Sequence, residues 1–315
     1  MHFSFISLVT ILHTQDDFDK LESSLPELHR TLQFNFKDFE IIIVNNTSDQ
    51  SITDTIDQFE PDIKKEIYLI HLSKITDPNN AILAGLDQAN GDYIVFLESQ
   101  FYNAPSLISD LYGKSQENND IVYLRSTKSP KGIIRKIALK LFIKIMRRYS
   151  TLTMDAQAFD SRIISRRAIN SVLRLRENLR YMKAIYSLVG YKSSYIPVDN
   201  RFDTSASFSG EIKMYTNAIT SFTGFLQVVL RWIFLLSMIL FLGTTANAVM
   251  VKLLGYDIIG NPQKEVTGWA FTVILISLTF SILCMILYIM SIYLENIYRE
   301  IKQRPLYIVE SVKRF

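Results

Sequence analysis

Two apolar runs near the C-terminus limit the folds open to this chain most: residues 232–254 and residues 268–294. A helix needs about 20 apolar residues to cross a bilayer core of about 30 Å, and each run is long enough. Arg231 and Lys252 mark the margins of the first run, and Trp269 and Tyr293 flank the second as interfacial aromatics. Two buried core helices are the alternative, but such length and apolarity rarely occur in soluble folds. A two-helix transmembrane hairpin is therefore expected, with residues 255–267 as its loop. That loop holds one Lys and no Arg, whereas Arg299, Lys302, Arg304, Lys313 and Arg314 follow the second run. The positive-inside rule then sets both ends of the hairpin, and the soluble domain, on the cytoplasmic side of the inner (cytoplasmic) membrane, in a multi-pass protein.

The residues ahead of the hairpin alternate between buried-strand and helix patterns. Apolar, β-branched runs at 5–12, 40–44, 67–72, 93–97 and 121–124 read as strands. Between them, residues 18–32 carry Leu21, Leu25, Leu28 and Leu32 at helical spacing, with Pro26 expected to interrupt, and 52–59 and 81–89 are further helices. Such alternation predicts an α/β fold with a mostly parallel sheet and right-handed crossovers. Ligands of such sheets sit at the C-terminal ends of the strands. There the 40–44 strand delivers Asn45-Asn46-Thr47-Ser48-Asp49, and the 93–97 strand delivers Glu98-Ser99-Gln100. No glycine-rich dinucleotide or Walker phosphate loop is present.

Composition narrows the function. Lys and Arg number 34 against 31 Asp and Glu, and a net charge of +3 gives no argument for a nucleic-acid partner. The single Cys284 lies in an apolar run, which excludes a disulfide framework or a cysteine metal site and fits a reducing compartment. The N-terminus lacks a basic region and a small-residue cleavage site, so it reads as a first strand rather than a signal peptide.

Residues 132–150 set Ile133, Ile134, Ile137, Leu141 and Ile145, with Phe142 and Met146, against Arg135, Lys136, Lys140, Lys144, Arg147 and Arg148. This basic amphipathic helix suits an anionic lipid surface, or, more simply, an outer face of the sheet. Further on stand Asp160, Arg162, Ser165 and Arg166, then Gly190-Tyr191 and Arg201. On the residues alone, Asp160 reads as a helix N-cap and Arg162 and Arg166 as solvated helix charges. Ser205, Ser207, Ser209 and Gly210 make the next stretch a loop, with Lys213 after it.

The 85–105 stretch, with its Ala-x-Gly-Asp turn and apolar strand, resembles family 2 glycosyltransferases. So do the block from Asp160 to Arg201 and the tail Glu300, Arg304, Pro305, Leu306 and Tyr307. The likeness is to the membrane-anchored polyprenyl-phosphate branch, similar to dolichyl-phosphate mannose synthases and undecaprenyl-phosphate sugar transferases. It implies a GT-A (Rossmann-like) nucleotide-sugar-binding domain in residues 1–212, which includes the helix 132–150. It also implies an interfacial helix at 213–231, the hairpin at 232–294 and a cytoplasmic basic tail at 295–315. The implied donor contacts are Thr14, Asn45, Asn46, Ser48, Glu98, Ser99 and Gln100. Asp160, Arg162 and Arg201 are the implied catalytic residues, and Arg166, Arg201 and Lys213 the implied contacts of the acceptor phosphate. The implied cofactor is Mg²⁺ or Mn²⁺ on an Asp-x-Asp pair. Here Glu98 and Gln100 fill those slots, which predicts weak metal binding because hard cations favour carboxylates.

The implied reaction is inverting transfer of a sugar from a nucleotide-sugar donor to polyprenyl (undecaprenyl) phosphate in membrane lipid. The cationic side chains Arg162, Arg166, Arg201 and Lys213 could clamp the departing diphosphate. The resemblance also implies a homo-oligomer formed through the membrane region. The amides at positions 45, 46 and 100 leave a second reading open: a catalytically silent scaffold or accessory subunit paired with another membrane enzyme.

Overall fold

The computed structural model describes residues 2–315 other than 50, 129–131, 151, 153, 156, 176–180, 202–207, 263–267 and 302–304. The first half runs β1 (Ile6–Leu12), α1 (Gln15–Asn35), β2 (Phe39–Asn45), α2 (Ile52–Asp57), α3 (Pro61–Lys64), β3 (Ile67–Leu72), α4 (Pro78–Gln88) and β4 (Tyr93–Phe96). Then come α5 (Ser106–Ser115), β5 (Ile121–Lys128), α6 (Ile133–Tyr149), β6 (Ala158–Ser165), α7 (Arg166–Arg174), α8 (Met182–Leu188) and β7 (Ser193–Arg201). The chain ends with α9 (Phe208–Phe222), α10 (Phe225–Leu254), α11 (Gly268–Ile301) and β8 (Val309–Arg314).

Eight strands form one sheet in the order β7-β5-β6-β4-β1-β2-β3-β8. The β1–β2, β1–β4, β2–β3 and β5–β7 pairs are parallel. β6 runs antiparallel between β4 and β5, and β8 antiparallel beside β3. The mostly parallel α/β sheet is thus as expected. Its central strands are buried on both faces, which is why β1 and β2 read as unbroken apolar runs. One core layer joins α1 and α5 to the sheet through Leu25, Leu28, Leu32, Ile108 and Leu111. The other joins α4, α7 and α8 through Leu86, Ile169, Val172 and Ile185. Gly85 lets α4 approach closely, since a Cβ there would collide with Val9 Cγ1. Pro26 does not interrupt α1; the helix runs through it, held by the buried leucines on its inner face.

Two further differences from expectation matter. The tail is not simply a solvated basic segment: β8 closes the sheet edge, with Ser73 N donating to Ile308 O at 2.9 Å and Lys313 paired to Asp57 at 2.8 Å. Its alternating Val309, Ser311 and Lys313 gave little apolar signal, because an edge strand is half solvated. The apolar surface of α6 is also split. Leu139, Phe142 and Met146 pack against α9 and Tyr181, while Ile133 is 77% exposed and Ile134, Ile137 and Leu141 are exposed with it.

Helices α10 and α11 include spans long and apolar enough to cross a membrane, Phe225–Val251 and Leu278–Glu295. Their side chains face outward: Trp232 is 68% exposed, and Phe234, Leu236 and Ile239 are exposed likewise. Exposed apolar surface on this scale marks a lipid or protein contact. The break before the first span falls at Thr223-Gly224, so α10 includes residues expected to lie in a separate interfacial helix.

Candidate active site

The sheet brings two strand ends to one edge. β1 alone lies between β2 and β4, so their ends stand about 10 Å apart at ordinary strand spacing. At the β2 end, Asn45 and Asn46 are buried. Asn46 makes a two-way clasp: its Oδ1 accepts from Thr76 N at 2.9 Å, and its Nδ2 donates to Thr76 O at 3.0 Å. The same Nδ2 lies 3.0 Å from His13 Nδ1. Asn45 Nδ2 donates to Asp49 O at 2.6 Å and meets His71 Nδ1 at 3.1 Å, while its Oδ1 accepts from Thr47. Burial holds the His71 imidazole below its ordinary pKa. These amides organise the loop over the tip and are committed inside the protein. Ser48 is exposed on that loop, and Thr14 caps α1 through a capping box with Asp17.

At the β4 end, the chain turns into a short 3₁₀ helix, Ser99–Phe101. Glu98 is half-buried, with its carboxylate turned inward. Glu98 Oε2 accepts from both Ser161 N and Ser161 Oγ at 2.9 Å, and Glu98 N donates to Ser161 Oγ at 2.9 Å. Gln100 offers an N–H to Glu98 Oε1 at 3.4 Å. Antiparallel pairing sets Asp160 of β6 opposite this turn. Asp160 is therefore in a strand and not at a helix N-cap, and its side chain is 30% exposed.

Two cations close the cluster. Arg162 is only 3% exposed; its guanidinium donates to Asp160 O at 2.9 Å and Phe159 O at 2.7 Å, and stacks 3.9 Å from the Tyr186 ring. Lys183, near the start of α8, is 9% exposed with Nζ 3.9 Å from Asp160 Oδ2. Burial raises the Glu98 carboxyl pKa, and the Asp160 charge adds to that while Lys183 opposes it. Burial lowers the Lys183 ammonium, and Asp160 and Glu98 draw it back up. Tyr181 is pushed upward by burial and by the Asp160 charge. Beside this cluster is a pocket lined by Phe142, Met146, Leu152, Met154, Asp155 and Tyr181, which reaches the inner face of α6.

Other expected residues lie elsewhere. Arg166 is at the opposite end of the sheet, where its guanidinium donates to Gly91 O and to Ala89 O. β6 has by then run the length of β4, so Arg166 is removed from the acceptor set and instead pins the turn before β4. Arg201 ends β7 with its backbone beside Lys128; its side chain lies outside the described residues. So do Ser205 and Ser207. Lys213 is exposed on α9. Sequence reasoning missed Ser161, His13, His71, Thr76 and Lys183. The signal for Lys183 was a lysine between Met182 and Ala184-Ile185, on a segment otherwise apolar.

The donor atoms present do not fit a divalent cation. Hard cations take several oxygen ligands. Here the acid at the β4 tip is occupied by Ser161, and Gln100 directs an N–H to it. Among the described residues, no three His, Cys, Asp or Glu side chains converge as a metal site.

The profile of glycosyl transferase family 2 matches residues 18–173, which run from α1 to α7 and include both strand tips. This chain carries a family 2 glycosyltransferase domain. An uncharacterized glycosyltransferase of Synechocystis sp. is 26% identical over 97% of this chain and 94% of its own length. YkcC of Bacillus subtilis, another uncharacterized glycosyltransferase, is 25% identical over 87% and 84%. The undecaprenyl-phosphate 4-deoxy-4-formamido-L-arabinose transferase of Salmonella choleraesuis is 25% identical over 92% and 90%. Among solved structures, mannosyl-3-phosphoglycerate synthase of Rubrobacter xylanophilus aligns with a TM-score of 0.47 at 12% identity, over 69% of this chain and 72% of that one. The glycosyltransferase domain thus reads as a transferase whose strand tips carry amides at β2 and a charge cluster at β4 and β6.

Proposed function

We propose that this chain transfers a sugar from a nucleotide-sugar donor to a polyprenyl phosphate at the cytoplasmic face of the membrane, with inversion. The observation that carries the reading is the position of the Asp160 cluster. It lies at the strand tips, next to a layer of α6 and α9 whose outer surface combines exposed isoleucines with cations. Such a surface suits anionic headgroups, so an acceptor phosphate held there would stand near a water-soluble donor. The Salmonella relative, named for transfer to undecaprenyl phosphate, supports the acceptor class.

In this reaction an acceptor phosphate oxygen attacks the anomeric carbon, a new carbon–oxygen bond forms, and the bond to the nucleoside diphosphate breaks. The acceptor is largely ionised at pH 7, since a second phosphate pKa is about 6, so it needs little help from a base. Asp160 orients the reacting groups; Arg162 and Lys183 offset its repulsion of the phosphate. Lys213, and Arg201 at the end of β7, are the cationic candidates on the acceptor side. The hairpin would anchor this site, with both of its ends on the cytoplasmic side.

Membranes carrying the full chain, incubated with labelled UDP- and GDP-sugars and undecaprenyl phosphate, are expected to yield a labelled lipid. No labelled lipid across the whole panel would overturn the reading in favour of a silent scaffold.

A further inference from the structure

Four ionisable groups meet where β4 ends and β6 begins: Glu98, Asp160, Arg162 and Lys183. Their formal charges, two negative and two positive, cancel. Asp155, on the approach to β6, is matched separately by Arg125 at 3.0 Å. A divalent cation arriving here would meet no net protein charge, and the Glu98 carboxylate is already engaged by Ser161. Yet the departing nucleoside diphosphate develops negative charge that something must stabilise.

Lys183 is the group placed to do so. It lies 3.9 Å from Asp160 Oδ2 and is nine-tenths buried, so its field is screened less than that of a surface lysine. Arg162 donates from Nε to Asp160 O and from Nη2 to Phe159 O, and its flat face rests on Tyr186. Arg162 therefore fixes the Asp160 backbone, whereas Lys183 brings its charge from a separate helix. The position of α8 sets that charge, since Met182, Ala184 and Ile185 on either side are fully buried and lock the segment.

We propose that the Lys183 ammonium is a built-in cation of the donor site, so that this chain binds the diphosphate of its donor without a divalent metal. The inference rests on the glycosyltransferase function proposed above. It accounts jointly for the amide at position 100 and for the turning of Glu98 toward Ser161. A second acid at position 100 would add negative charge that the cluster already balances. Lys183 acts by placing charge, and Asp160 holds it in place.

The test titrates UDP and GDP into the detergent-solubilised full chain, once with EDTA and once with Mn²⁺. At least one of the two is expected to bind in EDTA, with affinity little changed by Mn²⁺. Lys183→Met should weaken binding in EDTA about tenfold or more, and Lys183→Arg should retain most of it. The double variant Lys183→Met with Gln100→Asp should recover binding only when Mn²⁺ is added, which a merely structural lysine would not produce. Binding by the unmodified chain that needs Mn²⁺ overturns the inference and leaves the proposed function standing. So does unchanged affinity in Lys183→Met. If neither nucleotide binds under either condition, the proposed function falls and the inference with it. Should Lys183→Met lose its cooperative thermal transition, the metal response of the unmodified chain and of Lys183→Arg still decides.

Discussion

The ends of β2 and β4 sit at the same edge of one sheet, yet they solve the problem of buried polarity in opposite ways. At β2 the polar groups are neutral: Asn45 and Asn46 satisfy their amides on Thr76, Asp49, Thr47, His13 and His71. At β4 and β6 they are charged, with Glu98 and Asp160 faced by Arg162 and Lys183. A buried amide needs only hydrogen bonds, whereas a buried charge needs a counter-charge as well. The lesson is that losing an acid does not mean the same thing at both tips. At β2 the amide is required by its partners; at β4 the charge is kept and closed upon itself.

The strongest way to break this contrast is at the charged tip. Asp160→Asn leaves shape intact but removes the charge between Arg162 and Lys183. Sugar transfer in the membrane assay should fall about a hundredfold, and an unchanged rate would move the reacting edge away from β6. Next is Glu98→Ala, which strands Ser161 N and Ser161 Oγ without their acceptor. A loss of about 2 kcal/mol in urea unfolding is expected, because hydrogen bonds to a charged group exceed neutral ones.

The neutral tip predicts a reversed result. Asn46→Asp restores an acid, but it sets a carboxylate oxygen against Thr76 O, where Nδ2 now donates. Stability should drop by about 1–2 kcal/mol at pH 7, and part should return in acid as the carboxyl gains a proton to donate. An Asn46→Asp variant as stable as the parent at pH 7 would dissolve the distinction between the tips. The smallest effect is expected at the far end of the sheet, away from both. There Arg167 and Ser165 hydrogen-bond Asp120, and Arg167 foremost holds its carboxyl below the usual carboxylate range. A group depressed on folding adds stability above its unfolded pKa and loses it as pH falls through the folded one. Asp120→Asn should therefore cost about 1 kcal/mol at pH 7, and the difference from the parent should vanish below the folded pKa, read by urea melts across pH.

Much of this was legible in the chain. The order of the first five strands and the helices among them, the edge where the tips gather and the two apolar runs follow from local pattern, since neighbours in sequence decide them; β6 and β8 did not show in it. Arg162 and Arg166 show where that legibility ends. They are four residues apart and read alike, but an extended strand carries one to the active edge and the other to the opposite end. The α6 helix likewise reads as one apolar stripe, and only the placement of α9 divides it into a packed and an open face.

By itself, the sequence determined an α/β sheet with polar strand ends and two helices apolar enough to cross a membrane, because local patterns of apolar residues encode burial. Only the tertiary structure decided that Glu98 turns to Ser161, that β8 returns from beyond the hairpin to close the sheet, and that Lys183 sits against Asp160. Those contacts join residues far apart in the chain, and a charge's partner is set by distance in space, which no local pattern records.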